Sequence, residues 1–446
     1  MKIAVVGGGF GGLSAAHALV KAGHDAHVLE ASEHVGGVVG TSIVDGYRRE
    51  HAASSFLGGM ADGALALCNE LGVPVEKASP RARKRWIYID GKLRALPGNP
   101  LAFLGSDLLT WRGKLALLRE PFAPAGPAGD ESVHAFAARR LGPEIARAII
   151  APFVTGVFAA DAHDISLEAG FPRLAELDAA GGLVRGSLKM MLRRKKAAGK
   201  TARGMHAPVG GLGALVDALA RALGARIHTG VRIRAIEPDG DGVALAGQHW
   251  DRAVLAVSAA DAIPLVERAL PELATKLAPF TRAPAALVYL GVPEAALPEA
   301  ARDGFGALVA KGEDPRVLGV VFESTVWPDR APAGHALLRC IYGGARDPSA
   351  ATQLGDAELL EQARHDVARV LGGGDLEAPP THASVIRWPH GLAQYAVGHR
   401  DRVREASAVA RQSHLMLAGA DYRGAGLNDL VRDALHLVNL CDPNPA

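Results

Sequence analysis

Residues Gly7-Gly8-Gly9-Phe10-Gly11-Gly12 are spaced to hold phosphate. They follow a β-branched run, Lys2–Val6, and precede a stretch of helical periodicity, Leu13–Ala22. In such a strand–turn–helix each glycine has a job. Gly7 permits the turn, Gly9 lets the backbone approach a pyrophosphate, and Gly12 lets helix and strand pack closely. The start of the helix offers free N–H groups and the positive end of its dipole. Glu30 ends the next strand-like run, eighteen residues after Gly12. An acid there accepts both ribose hydroxyls and repels a 2′-phosphate. A lone GxGxxG is weak. With the strand, the helix and the acid in register it specifies a dinucleotide site.

Other chemistries lack their residues. No second GxGxxG stands between a strand and a helix; Gly372-Gly373-Gly374 precedes Asp375 and a proline pair and reads as a loop. Cys68, Cys340 and Cys441 form no CxxC or zinc spacing, so three reduced, buried thiols are expected. His24 and His27 read as surface residues, there is no HExxH and no metal is expected; no GxSxG supplies a serine nucleophile. With one dinucleotide site and no redox cysteine pair, a pyridine-nucleotide disulfide reductase or an NADPH monooxygenase is disfavoured, and a flavin oxidase holding FAD is expected. The string EASEHVGG, with Gly36 and Gly37, resembles the segment after the acid in flavoproteins of the amine oxidase superfamily.

These residues need a scaffold, and 446 residues suffice for two or three domains. The net charge of +2 gives no pull toward nucleic acid. The basic run Ser187–Arg203 has no interleaved aromatics; it reads either as a lipid-docking patch or as a solvated loop. No apolar run of ~18 residues is present, so membrane contact is expected to be peripheral at most. The chain opens directly on a strand, so no signal peptide is expected, and the cytoplasm is the expected location. Residues Pro97–Arg203 read mainly as helices, and Gly213–Leu223 as one amphipathic helix. Between Ala225 and Val257, ARIHTG, VRIRAIE, VALAG and RAVLAV read as short strands: a meander and a return strand.

Further segments occur in order along nearly the whole chain: RKRWIYIDGKLRALP (Arg83–Pro97), PFVTGVFAAD (Pro152–Asp161), APVGGLGALVDAL (Ala207–Leu219), GFGALV (Gly304–Val309) and LAGADYRGAGLNDLVRDAL (Leu417–Leu435). Together with the N-terminal glycines they resemble the protoporphyrinogen oxidase family of flavin amine oxidase-like proteins. The resemblance implies an α/β fold: a Rossmann-like FAD domain of split segments (1–84, 204–260, 405–446), an α+β substrate domain (85–97, 261–404) and a helical, membrane-associating domain (98–203). It implies six-electron oxidation of protoporphyrinogen IX, with dioxygen leaving as peroxide, and a homodimer. By motif, Gly7 to Gly12, Glu30, Ala31, Gly36, Gly37 and Val38 match the nucleotide site. Ala52, Ala53, Ser54, Ser55, Ile233, Ala420, Ala425, Gly426 and Leu427 match positions around adenine and flavin. Arg85 matches a propionate-binding arginine, and Gly156 a glycine whose carbonyl faces the tetrapyrrole. Phe305, Leu308, Val321 and Ile341 match the cavity walls.

A tetrapyrrole is an apolar disc with carboxylates at its edge, so an apolar slot with a cation at its mouth suits it. The flavin is the electrophile, and no protein acid or base is expected. Two departures stand out. The family's Gly-Pro is absent from Glu50-His51-Ala52-Ala53-Ser54-Ser55-Phe56, and a family glycine is Ala160. Three rival readings stay open: coproporphyrinogen III as substrate, an amine oxidase or desaturase, whose aromatic cage Tyr395 and Tyr422 could be misread as, and a flavin scaffold without turnover.

Overall fold

The computed structural model describes residues 1–98, 100–194, 204–373, 376 and 378–441. A five-stranded parallel sheet has the order Ile227–His228, Asp25–Leu29, Lys2–Val6, Arg252–Leu255, Leu415–Leu417. Its strands come from three separated stretches of chain. Ile3, Ala4 and Val5 are fully buried because both faces of the sheet are covered. The helices Phe10–Lys21, Gly213–Leu223 and Leu427–Cys441 share one core with it. On the other face lie the helices Ala259–Val266, Pro271–Leu277 and His399–Gln412 and a three-stranded meander, Glu237–Asp239, Gly242–Leu245 and Gln248–Trp250.

The return strand Arg252–Leu255 follows the sequence expectation and VALAG gives the middle strand of the meander, but ARIHTG gives the edge strand Ile227–His228 of the parallel sheet, and Glu237–Asp239 and Gln248–Trp250 complete the meander. VRIRAIE does not follow the expectation. Val231–Ile236 is irregular, because the N–H groups of Gly230 and Val231 donate to the carbonyls of Ser32 and Glu30 instead of a strand partner. That irregular stretch sits beside the nucleotide turn. The helix Asp356–Leu371 ends at Gly372, which takes φ +71° as a left-handed cap; Gly374 and Asp375 lie outside the described residues.

A second, seven-stranded sheet has the order His382–Ala393, Arg282–Pro293, His335–Gly343, Gly319–Phe322, Gly306–Val309, Arg85–Ile89, Lys92–Ala95. All neighbours are antiparallel except the 306–309 and 85–89 pair. Period-2 alternation divides its residues. Ala307, Val309, Val320, Phe322, Leu338 and Cys340 point to one face and are sealed under Leu359, Ala363 and Val367 of the 356–371 helix. The opposite face is covered less completely: Val321 packs with Phe305 on Ala82, Ala207, Val326 and Trp327, Ile341 packs on the Tyr47 cluster, and more cover lies toward the two ends. At one end, Ile87 and Ile89 pack on Leu108, Ile145 and Ile149 of a helical layer. At the other, Leu287, Tyr289 and Leu337 pack on Tyr47. Between them Leu308, Val321 and Ile341 are only half-buried.

The helical layer includes Trp111–Leu118, Val133–Leu141, Ala151–Phe158 and Leu183–Arg194. Among the described residues no helix is long and apolar enough to cross a membrane. The basic run falls partly outside the described residues, which stop at Arg194 and resume at Gly204. All three cysteines are buried and none is in a disulfide, and burial pushes the Cys68 thiol up to about 12. Ala160 needs no glycine: its neighbour Ala159 takes the left-handed conformation, φ +48°.

Candidate functional site

The glycine turn is built by close approach. A Cβ on Gly12 would lie 2.0 Å from the Gly7 carbonyl oxygen, so helix and strand meet there only without a side chain. Gly7 itself has φ +103°. Gly9 is different. Its backbone is extended, and a Cβ there would meet only the Gly37 Cα, at 4.0 Å. The turn therefore leaves open space over Gly9. No side chain caps the helix that starts at Phe10, so its first N–H groups face that space unpaired by the helix. Gly36 N–H donates to Gly8 O at 2.8 Å and brings the Gly36-Gly37 loop over the turn. Glu30 accepts from Gly8 N–H at 2.6 Å and from the N–H and hydroxyl of Ser32, each at 2.8 Å. Ala31 is exposed in the following loop. Phe10 and Val38 pack inward, so only their backbones face the turn. The turn has the open space and free donors that a pyrophosphate needs, with a carboxylate beside it, and the residues present fit a dinucleotide.

Residues distant in sequence converge on this turn. Ile233 is buried two residues after Val231, whose N–H donates to Glu30 O at 2.8 Å. A Cβ on Gly11 would lie 3.5 Å from Gly419 Cα, so the C-terminal turn touches the start of the first helix. Ala420 follows, its carbonyl accepting the Tyr395 hydroxyl. Ala425 and Gly426 are exposed just before the helix begins at Leu427. Tyr395 and Tyr422 are each 2% exposed and packed with Phe280 and His399, so they are not placed to wall an amine cage.

The segment lacking Gly-Pro runs from the side of the glycine turn to the seven-stranded sheet, and sequence reasoning missed what holds it. The carbonyls of Glu50, His51 and Ala52 accept, in turn, from the Tyr289 hydroxyl, Trp388 Nε1 (2.7 Å) and Arg339 Nη1 (2.7 Å). Arg339 Nη2 also donates to Ser54 Oγ at 3.1 Å. Ser54 is buried, Ser55 half-buried and Ala53 exposed. The Glu50 carboxylate, 1% exposed, accepts from Arg330, from Thr41 Oγ1 (2.7 Å) and from Leu212 N–H at the start of the 213–223 helix. Burial pushes this carboxyl up from its ordinary range, against the pull of Arg330 and Thr41. Arg339 Nε lies 2.9 Å from Glu323 Oε1, with the N–H off the line between them, so this is a charge contact without a hydrogen bond. An arginine inside ALLRCIYG was the available signal: a charge in an apolar strand run needs a buried partner.

Over the middle of the sheet, the wall residues come together. Gly306 pairs with Val321, Gly319 with Ile341, and Leu308 with Gly319, which puts Leu308, Val321 and Ile341 on one face. Gly156, exposed on the 151–158 helix, stands over Leu308; a Cβ there would lie 2.5 Å from Leu308 Cδ2. Arg85 pairs in register with Gly306, two residues (~7 Å) along from Leu308. Its guanidinium is exposed, lies 5.3 Å from the Phe305 ring centroid and has no carboxylate partner among the described residues. Lys84 beside it is paired with Asp303.

The profile of the flavin containing amine oxidoreductases matches residues 10–436. The chain belongs to that family. It is a flavin-dependent oxidoreductase, and its cofactor is FAD. It is 32% identical to protoporphyrinogen oxidase of Bos taurus over 99% of both chains. It is 29% identical to coproporphyrinogen III oxidase of Propionibacterium freudenreichii, over 97% of this chain and 89% of that one. In fold it matches a solved Exiguobacterium protein, provisionally assigned as a protoporphyrinogen oxidase, with a TM-score of 0.81, 22% identity and 98% of each chain covered.

Proposed function

We propose that this flavoenzyme oxidises a porphyrinogen with dioxygen, and that the porphyrinogen is protoporphyrinogen IX. One observation carries the reading: a half-buried apolar face of Leu308, Val321 and Ile341, with the uncompensated Arg85 at its edge. A flat apolar ring fits the face, and a propionate fits the guanidinium fork. Phe153 and Val157, 45% and 44% exposed, flank Gly156 on the helix across the slot. That side is apolar, which favours two carboxylates at one edge over four around the rim.

Bound FAD would supply the hydride acceptor and the route of electrons to dioxygen, held by the Gly7–Gly12 turn and Glu30. The protein supplies placement. Leu308, Val321 and Ile341 hold the ring and exclude water, Gly156 leaves room for its edge, and Arg85 fixes its rotation. Loss of six hydrogens to three dioxygen molecules yields protoporphyrin and three hydrogen peroxides.

Aerobic turnover of protoporphyrinogen IX and coproporphyrinogen III, compared side by side, tests the substrate. Preference for the first, with three peroxides per porphyrin, supports the reading; preference for the second replaces it with the coproporphyrinogen alternative. In the same assay Arg85→Ala should lower kcat/KM by about tenfold to a hundredfold, the worth of one charge-assisted bond, and Arg85→Lys by less. An unchanged kcat/KM would remove Arg85 from the site.

We also propose a peripheral membrane contact on the helical layer. Trp111 (66% exposed), Leu118 (59%) and Phe122 (80%) project beside a groove of about 790 Å³ that Arg112 and Arg119 also line. Binding to anionic vesicles, weakened at least about tenfold by Trp111→Ser with Phe122→Ser, is the expected result. Equal binding by the variant would rule the patch out.

A further inference from the structure

We propose that Arg339 is a positioning residue: it sets the conformation of Ala52–Ser54 and through it the reactivity of the flavin. This rests on the assignment of that segment to the flavin.

Residues His51 to Ser55 form no helix or strand, and they contain neither proline nor glycine to narrow the backbone. Their shape is imposed from outside. Three consecutive carbonyls, Glu50, His51 and Ala52, each take a donor from a different strand of the seven-stranded sheet: Tyr289, Trp388 and Arg339. Tyr289 and Trp388 each bind one atom. Arg339 binds two, Ala52 O and Ser54 Oγ, so it alone of the three spans the turn between residues 52 and 54. A guanidinium does this because its donors form a rigid planar fork; a lysine ammonium is a single point.

The position of Arg339 is equally specific. It lies on the slot-facing side of its strand, between Leu337 and Ile341, and pairs in register with Val321. Ile341 and Val321 are two of the wall residues. The same side chain therefore joins the substrate face to the segment 52–54. It is 6% exposed, and the Glu323 carboxylate beside it, 1% exposed, keeps the buried charge tolerable. An arginine needed only for stability would not require this cost, since an apolar residue of similar volume would fill the space.

The test uses the full-length holoenzyme. Arg339→Met removes the fork at similar volume but strands Glu323, so Arg339→Met with Glu323→Gln is made as well. Measured are the visible flavin spectrum, the flavin reduction potential, retention of FAD, kcat and KM for porphyrinogen, and the melting temperature. The expected result for the double variant is a folded protein that retains FAD, with a shifted flavin band and potential, and a kcat about tenfold lower at nearly unchanged KM. Arg339→Lys should not restore the spectrum. A double variant with wild-type spectrum, potential and kcat overturns the proposal, whether or not its melting temperature falls. If the unaltered protein binds no flavin, the cofactor reading itself fails; that outcome is distinct, because it precedes any substitution.

Discussion

Gly9→Ala should yield a protein that folds as well as the parent and is purified without its yellow colour. The extended backbone at Gly9 (φ −64°) accommodates alanine, and the added methyl would find only Gly37 Cα, 4.0 Å away. Stability should change by less than about 1 kcal/mol, with the lower entropy of the unfolded chain on alanine's side. The methyl would instead occupy the space where the pyrophosphate approaches the backbone. Gly12→Ala provides the contrast. Its methyl would sit 2.0 Å from the Gly7 carbonyl oxygen, a backbone atom that cannot rotate away. Helix and strand must separate, at a cost of at least about 1–3 kcal/mol, the range for overpacking a core. Flavin and stability should then be lost together. Absorbance of the purified proteins and a denaturant titration of each separate the two cases. A yellow Gly9→Ala protein with parental FAD affinity would show that the cofactor does not lie over the turn.

The contrast between these glycines also shows how far the sequence could be read. The GxGxxG spacing identified Gly7, Gly9 and Gly12 because the constraint is local: a strand, a turn and a helix adjacent in the chain. The Gly213–Leu223 helix was legible for the same reason, its apolar period being contained in eleven residues. The VRIRAIE stretch misled, since its alternation is that of a strand while its backbone donors serve the Glu30–Ser32 loop. The segment 50–55 was legible only as a departure. What fixes it comes from Tyr289, Arg339 and Trp388, more than two hundred residues away, and no local pattern encodes those contacts. The wall residues were named through the family resemblance. Alternation explains why they share a face, but only the packing around them shows that they stay half-buried.

The second large effect concerns Glu50, which the sequence marks only as a residue preceding the altered motif. Its carboxylate joins four parts of the protein: Thr41 on the neighbouring strand, the start of the 213–223 helix through Leu212 N–H, Arg330 at the end of the one-turn helix Pro328–Arg330, and the segment it leads into. Arg330 is fully buried and Glu50 is 1% exposed, so neither charge can recover hydration when the other is removed. Arg330→Met should therefore destabilise the protein by about 3–5 kcal/mol, the range for breaking a buried pair. Arg330→Met with Glu50→Gln should recover much of that loss, because the amide still accepts from Thr41 and Leu212 without a stranded charge. The pH dependence gives an independent check. Burial already holds the Glu50 carboxyl above its ordinary range, and loss of Arg330 should raise it further. A carboxyl whose folded pKa exceeds its unfolded value binds the extra proton in the native state, so stability falls as pH rises through that window. The deficit of Arg330→Met should accordingly be larger at neutral pH and shrink as pH falls toward ~4.5, where Glu50, its folded pKa raised, is mostly protonated in the native state of both proteins. Denaturant titrations at the two pH values measure it directly. A deficit that is constant with pH would mean that lost packing of the arginine stem, rather than a stranded carboxylate, accounts for the destabilisation.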